Sequence, residues 1–307
     1  MNQEFRLLSM PNVPIGQADL IVLPIPLERT VSFKPGTASA PHAILETTDQ
    51  LEFYDEDANW SPFNHIKLCV LPPFDDNPSL CDDDWHQSLR QHVANLPSNN
   101  LLISLGGEHS ITPSLVDARM KAPGTVLFFD AHADMRRTYQ GSKYSHACPV
   151  FRLIEQGHRI ITAGIRSICE SEAALVHHEP QITQFKDREL QDQQTWTSFL
   201  QIVHELKGPV YLSIDMDVFN PAEVPGVGTP QPGGLSWRQM IEILETLFSN
   251  PELMLRGADI VELVPEPSRV SEMVAAKLLH RIVSLWGKNQ GYDSRPLVGS
   301  QTQVDCE

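Results

Sequence analysis

The sequence predicts an α/β fold built on a parallel sheet with helices on both faces. Two observations carry this reading. Short apolar runs alternate with amphipathic stretches from end to end, and three of the runs stop at clusters of acids and histidines. Strand and helix in alternation is the pattern of a parallel sheet covered on both sides, whose strands are buried throughout and read as apolar runs. The clusters add a direction, because ligands of such sheets collect beyond the carboxyl ends of the strands.

In chain order, strands are expected at 20–26 and 66–71, and a helix at 85–96. Next come strand 101–105, helix 112–121, strand 125–129, helix 148–156, strand 159–163 and helix 171–178. The pattern closes with strand 182–185, helix 195–206, strand 210–214, helix 237–248, strand 258–263 and helix 272–286. The strands are assigned on short, nearly unbroken apolar character, the helices on longer amphipathic spacing. Residues 72–84 are rich in Pro and Asp and read as a surface loop whose acids are solvated. Residues 221–234, rich in Pro and Gly, read as a second loop, placed to shape a pocket. No linker divides the chain, so 1–307 is expected to be one domain, with a polar and poorly ordered tail at 288–307.

Composition narrows the function classes. The chain has 307 residues and is 41% hydrophobic, enough for a large core. A net charge of −16 argues against nucleic acid as a partner and suits a small cationic substrate. The five cysteines are scattered and odd in number, with no Cys-x-x-Cys pair. That disfavours a disulfide framework or a structural zinc site and points to a reducing compartment. Residues 1–19 lack a basic start followed by an apolar run, and no apolar segment approaches the roughly 20 residues that span a bilayer. A cytoplasmic protein that does not engage membranes is expected.

The three clusters are Gly106-Gly107-Glu108-His109-Ser110, Asp130-Ala131-His132-Ala133-Asp134 and Ser213-Ile214-Asp215-Met216-Asp217. At one sheet edge they gather Asp130, Asp134, Asp215 and Asp217 with His109 and His132. So many like charges do not ionise side by side without a strong positive charge among them. In an extended backbone, Asp130, His132 and Asp134 would point to one side. A single Asp-x-His-x-Asp can equally be a strand-end turn with a capping aspartate; three clusters at three strand ends favour a two-metal hydrolytic centre. Its carboxylate-rich donors favour Mn²⁺ or another hard-to-borderline divalent ion.

Those clusters, together with the stretches PIPLERTVSFKPG (24–36), 41–54, PGVGTPQPGG (225–234) and DIVELVPEP (259–267), resemble the signature motifs of the ureohydrolases, the arginase and agmatinase family. The resemblance covers nearly the whole chain. It implies a three-layer α/β/α fold with a central eight-stranded parallel sheet, assembled as trimers or hexamers. It also implies two Mn²⁺ ions, with Ni²⁺ or Co²⁺ as substitutes. One would be held by His109, Asp130, Asp134 and Asp215, the other by His132, Asp130, Asp215 and Asp217, with Asp130 and Asp215 bridging. Asp134 would also take up and return a proton. Glu262 matches the guanidinium-binding glutamate, although an ion pair with Arg256 is the competing reading of a carboxylate in an apolar strand. His146 matches the histidine used for proton shuttling or substrate contact, an imidazole whose unperturbed pKa of about 6.5 suits exchange with solvent.

Two positions depart from the pattern. Asn220 stands where a third aspartate is usual, and is expected to support the metal ligands from behind. Arg136 and Arg137 stand where agmatinase-like chains often carry an acid. The stretch 139–147 looks like the agmatinase branch, and the arginase loop for α-amino and carboxylate groups is absent. Agmatine, cleaved to urea and putrescine, is therefore the expected substrate. N1-aminopropylagmatine, 4-guanidinobutyrate, 3-guanidinopropionate, arginine and guanidine are the alternatives, the carboxylate-tailed ones if Arg137 faces the pocket. A metal-binding regulator without turnover is the competing class, disfavoured because Asp134, Glu262 and His146 are all present. A histone-deacetylase-like zinc enzyme shares the topology but keeps one ion, which fits the doubled ligands less well.

Overall fold

The computed structural model describes residues 5–297. All eight expected strands form: β1 (Leu20–Ile25), β2 (Leu68–Val70), β3 (Leu101–Gly106), β4 (Thr125–Phe129), β5 (Arg159–Ile165), β6 (Ile182–Lys186), β7 (Pro209–Asp215) and β8 (Met254–Val261). They pair in parallel, in the order β2-β1-β3-β8-β7-β4-β5-β6.

Successive strand residues bury themselves on opposite faces. Leu20 and Val22 of β1, with Leu127 and Phe129 of β4, pack on one side. Ile21, Leu23, Val126 and Phe128 pack on the other. The helices α1 (Ala40–Thr48), α7 (Gln193–His204), α8 (Trp237–Phe248) and α9 (Val270–Asn289) cover the first face. The second is covered by α2 (Asp82–Ala94), α3 (Thr112–Arg119) and α4 (Pro149–Glu155), with Leu175 and Val176 of α5 (Glu170–His178) at its margin. These three layers are the architecture that the sequence resemblance implies. No described helix is long and apolar enough to cross a membrane.

The differences from expectation are local. Helix α1 and the single turn α6 (Asp187–Leu190) were not foreseen. Helix α2 begins at Asp82, so three acids at the end of the expected loop form its first turn, where negative charge meets the positive end of the helix dipole. Those acids are not simply solvated: Asp76 and Asp82 pair with Arg29, and Asp83 with Lys143. Residues 288–297 continue ordered structure, with α9 reaching Asn289 and Tyr292 buried against Trp286. The rest of the tail, 298–307, lies outside the described residues.

Sheet order positions the site. The chain leaves β3, passes over two strand positions and enters β4; β8 and β7 later fill that gap. The carboxyl ends of β3, β8, β7 and β4 are therefore adjacent, at a topological switch point where ligands bind. The backbones come close there. A Cβ on Gly107 would stand 2.0 Å from the Leu27 carbonyl oxygen, so only glycine fits.

Candidate metal centre and active-site cleft

Each of the four adjacent strands delivers its chemistry just past its last residue. His109 follows β3, Glu262 follows β8, Asp215 and Asp217 lie at the end of β7, and Asp130, His132 and Asp134 follow β4. Ligand atoms of His109, Asp130 and Asp215 lie within 4.8 Å of one another, and so do those of Asp130, His132 and Asp217. Asp130 belongs to both groups. Asp215 belongs only to the first, where a second bridging residue was expected; its other oxygen accepts from Asp217 N at 2.7 Å. Asp134 approaches the first group less closely, with Oδ2 3.8 Å from His109 Nδ1.

The 130–134 segment is not an extended strand. Beyond β4 it keeps only an isolated parallel bridge, His132 to Ser167, and Asp134 takes a left-handed φ of 50°. Glu262 is not inside β8 but one residue beyond it, at φ 62°. Left-handed backbone at a non-glycine residue costs on the order of 1–3 kcal/mol and concentrates at working sites. Two neighbouring backbones hold Glu262 in place: its N donates to Gly107 O at 2.8 Å, and Oε1 accepts from His109 N at 2.7 Å. No ion pair joins it to Arg256, which sits near the start of β8, six residues away along the chain.

The His109 ring lies flat on Phe128, with centroids 4.3 Å apart. Its Nδ1 is 3.2 Å from both Asp130 Oδ2 and Asp215 Oδ2. Its Nε2 is 2.9 Å from Ser213 Oγ, which gives its own hydrogen to Asp259 Oδ1 at 2.6 Å. Ser213 can then only accept from the ring, so Nε2 carries a hydrogen, and in the neutral ring that a bound cation would favour Nδ1 keeps the lone pair. Asp259 is further held by Thr112 and Tyr211 hydroxyls. On the other side of the centre, His132 Nδ1 lies 2.9 Å from Asp217 Oδ2, and Thr229 Oγ1 donates to the same oxygen.

Electrostatics test whether this donor set suits cations. Burial, reinforced by the charge of Asp130, pushes Asp134 well above the ordinary carboxylate range. Burial and the charges of Asp217 and Asp130 do the same to Asp215. Burial opposes charge on the imidazoles, yet hydrogen bonds and charges from the aspartates outweigh it, raising His109 to about 9 and His132 to about 12. Asp130 is held low by those two imidazoles against its own burial. Asp130 Oδ2 is also buried without a well-directed hydrogen bond. Protein groups alone therefore favour the neutral form of two acids and leave one acceptor idle. Two divalent cations would resolve this, matching four ionised aspartates and neutral imidazoles, so the residues present fit a two-metal site.

A cleft of about 140 Å³ opens above the cluster, lined among others by Asp134, Arg136, His146, Glu172, Thr229 and Glu262. Burial pushes Glu262 up to about 8, against the hydrogen bond from His109. Burial lowers His146 below the ordinary imidazole value. Arg136 faces the cleft and stacks over Tyr139, whereas Arg137 is exposed and lies over Phe151. His177 and His178 are exposed in the last turn of α5. The Asn220 side chain has no hydrogen bond to a metal-facing residue; its Oδ1 accepts from Ala222 N at 2.9 Å and closes its own turn.

Sequence reasoning missed Thr30, Glu108, Ser213 and Asp259 as working residues. Asp259 had the same signal as Glu262, an acid in an apolar strand. Glu108 and Ser213 lay inside two of the clusters, and Thr30 inside the stretch 24–36, but nothing in their residue types assigned them a partner.

Known proteins bear on this arrangement. The sequence profile of the Arginase family matches residues 18–284. An N(1)-aminopropylagmatine ureohydrolase of Synechocystis is 37% identical, over 90% of this chain and 91% of its own. An agmatinase of Pyrococcus horikoshii is 33% identical, over 91% and 95%. The crystal structure of an agmatine ureohydrolase of Thermoplasma volcanium superposes with a TM-score of 0.80 and 29% identity, over 91% of this chain and 93% of that one. A profile match across most of the chain, and relatives above 30% identity over nine-tenths of it, show that the chain belongs to the arginase family.

Proposed function

We propose that this protein is a manganese-dependent ureohydrolase that splits a small guanidino compound with a cationic tail, of the agmatine type, into urea and an amine. The observation that carries this is the convergence of His109, Asp130, His132, Asp134, Asp215 and Asp217 beneath a cleft that Glu262 and His146 also line. Two ions bound there would lower the pKa of a shared water and make it nucleophilic at neutral pH.

The chain's own residues then do the rest. Glu262 receives the guanidinium through charge-assisted N–H···O bonds, with Oε2 available while Oε1 accepts from His109 N. Asp134 accepts the proton of the attacking water and returns it to the departing amine as the C–N bond breaks. His146, in the cleft wall, exchanges a proton with solvent. Glu172 remains in the wall as a carboxylate for a distal ammonium; each of its oxygens accepts one backbone N–H, from Met135 and Cys169. We further read the chain as one cytoplasmic domain that assembles into trimers or hexamers, with no nucleic-acid or membrane partner.

N1-aminopropylagmatine stands beside agmatine, because several relatives are named for it. A carboxylate-tailed substrate has one observation in its favour. Arg136 lines the cleft, and among the described residues no carboxylate pairs with it. Arg137, the residue first suspected, does not line it.

Urea release by the Mn²⁺-loaded protein tests the reading across agmatine, N1-aminopropylagmatine, arginine, 4-guanidinobutyrate, 3-guanidinopropionate and guanidine. Selective turnover of either agmatine compound is expected. Preference for a guanidino acid would hand the tail to Arg136. Silence on every substrate, repeated with Ni²⁺ and Co²⁺, would overturn the enzyme in favour of the metal-binding regulator.

A further inference from the structure

Both ring nitrogens of His146 meet hydroxyls from the loop after β1: Nδ1 is 3.1 Å from Thr30 Oγ1, and Nε2 is 3.2 Å from Ser32 Oγ. The Thr30 hydroxyl is the more constrained partner, having one hydrogen and two lone pairs. Its hydrogen goes to Glu108 Oε1 at 3.1 Å, since a carboxylate is the strongest acceptor in reach. One lone pair accepts from His146 N at 2.9 Å. Only an acceptor site remains for the ring, so this contact, closer than the 3.5 Å to Ser145 Oγ, places the hydrogen on His146 Nδ1. Nε2 is then the basic nitrogen.

Glu108 is fixed in its turn. It is 1% exposed, and its Oε2 accepts from Arg29 N and Thr30 N, both at 2.7 Å, while Ser110 Oγ donates to Oε1. With Thr30 Oγ1 this makes four donors converging on two oxygens, which leaves no good place for a carboxyl hydrogen. The Arg29 guanidinium turns away to Asp76 and Asp82, anchoring the loop without touching Glu108.

We propose that Thr30 and Glu108 are positioning residues for His146: Glu108 orients the Thr30 hydroxyl, which holds the ring hydrogen on Nδ1 and leaves Nε2, beside Ser32 Oγ in the cleft wall, as the nitrogen that exchanges protons. The inference rests on reading His146 as the proton-exchanging group of a ureohydrolase. It has a counterpart in the same site. Asp259 acts on His109 through Ser213 in the same way but with the nitrogens exchanged, leaving Nδ1 free there. Carboxylate, hydroxyl and imidazole in series decide for each ring which nitrogen works.

The tautomer can be read without turnover. Ring-nitrogen NMR shifts of His146 would be measured in the protein loaded with diamagnetic Zn²⁺ and assigned by difference against His146→Asn. An Nδ1–H ring is expected in the parent and in Thr30→Ser, and its loss in Thr30→Val, which keeps the shape and removes the hydroxyl. With Mn²⁺, Thr30→Val should lose about tenfold or more in kcat, the low end for a misplaced proton-transfer group, with KM nearly unchanged. Thr30→Ser should recover most of that loss, and metal content should not differ among the three. An Nε2–H ring in the parent, an unchanged tautomer in Thr30→Val, or a Thr30→Ser as slow as Thr30→Val would each overturn the proposal. A parent silent on every guanidino substrate would instead sink the assigned reaction, with the tautomer measurement still readable.

Discussion

The carboxylate of Asp259 reaches the His109 ring through one hydroxyl: Ser213 Oγ lies 2.6 Å from Asp259 Oδ1 and 2.9 Å from His109 Nε2. All three residues are buried, and β7 and β8 hold Ser213 and Asp259 in register opposite each other. The hydroxyl hydrogen is committed to the acid, so the ring hydrogen is committed to Nε2.

Asp259→Asn should weaken the centre without unfolding it. An amide can donate to Ser213, which frees the hydroxyl hydrogen for His109 Nε2 and drives the ring hydrogen onto Nδ1, the atom facing Asp130 and Asp215. Loss of such an orienting partner typically costs about 10- to 100-fold in metal affinity. Chelator competition on the purified variant checks this; unchanged affinity would show that the hydroxyl does not set the tautomer.

This chain of contacts also shows what the sequence could and could not reveal. Strands such as 125–129 were legible because burial on both faces leaves an apolar run, and the acids beyond them stood out against that background. Helix α1 was not, because seven of its nine residues are buried and only His42 and Glu46 mark its exposed side, too few to set a helical period. Helix α6 is one turn long, too short for any periodicity. The left-handed backbone at Asp134 and Glu262 is held by partners met only in the fold, Val150 N on the Asp134 carbonyl and Gly107 O on Glu262 N. Partners such as Thr30 and Glu108 lie 78 residues apart and meet only once the sheet is assembled.

Asn220→Asp should leave the metal stoichiometry unchanged. The side chain closes the turn 220–222 through Oδ1, a task a carboxylate performs equally well. Stability should move by no more than about 0.5 kcal/mol, as for most partly exposed substitutions. Metal analysis beside a thermal melt decides it, and a large gain in bound metal would place the residue nearer the centre than its hydrogen bonds do.

Far from the cleft, Arg281 of α9 and Asp55 form an ion pair at 1% and 0% exposure. Burial raises the pKa of Asp55, but hydrogen bonding from Ser284 and Ala58 and the charge of Arg281 outweigh it, holding the acid below its ordinary 3.8. A folded pKa below the unfolded one means stability that is present above the unfolded value and is lost as pH falls through the folded value. Breaking a buried pair costs about 3–5 kcal/mol. Arg281 keeps Glu245 at 2.7 Å, so Asp55→Ala should cost near the lower end, about 3 kcal/mol at neutral pH. Urea unfolding across pH checks both parts: the gap between parent and variant should be constant near neutrality and shrink below pH ~4.

Glu262→Gln separates substrate binding from metal binding. The amide oxygen can still accept from His109 N, so the junction of β3 and β8 and the six metal-facing side chains should persist, with metal content equal to the parent's. The negative charge opposite the guanidinium would be gone. A hydrogen bond to a charged group contributes about 1.5–3 kcal/mol, and the pairing with a guanidinium belongs at the upper part of that range. A loss of about 2–3 kcal/mol is a fall of roughly 30- to 150-fold in kcat/KM. Urea release measured alongside metal content distinguishes the outcomes. Slow turnover with full metal occupancy supports Glu262 as the guanidinium anchor. Loss of metal together with activity would instead make it a structural prop for His109.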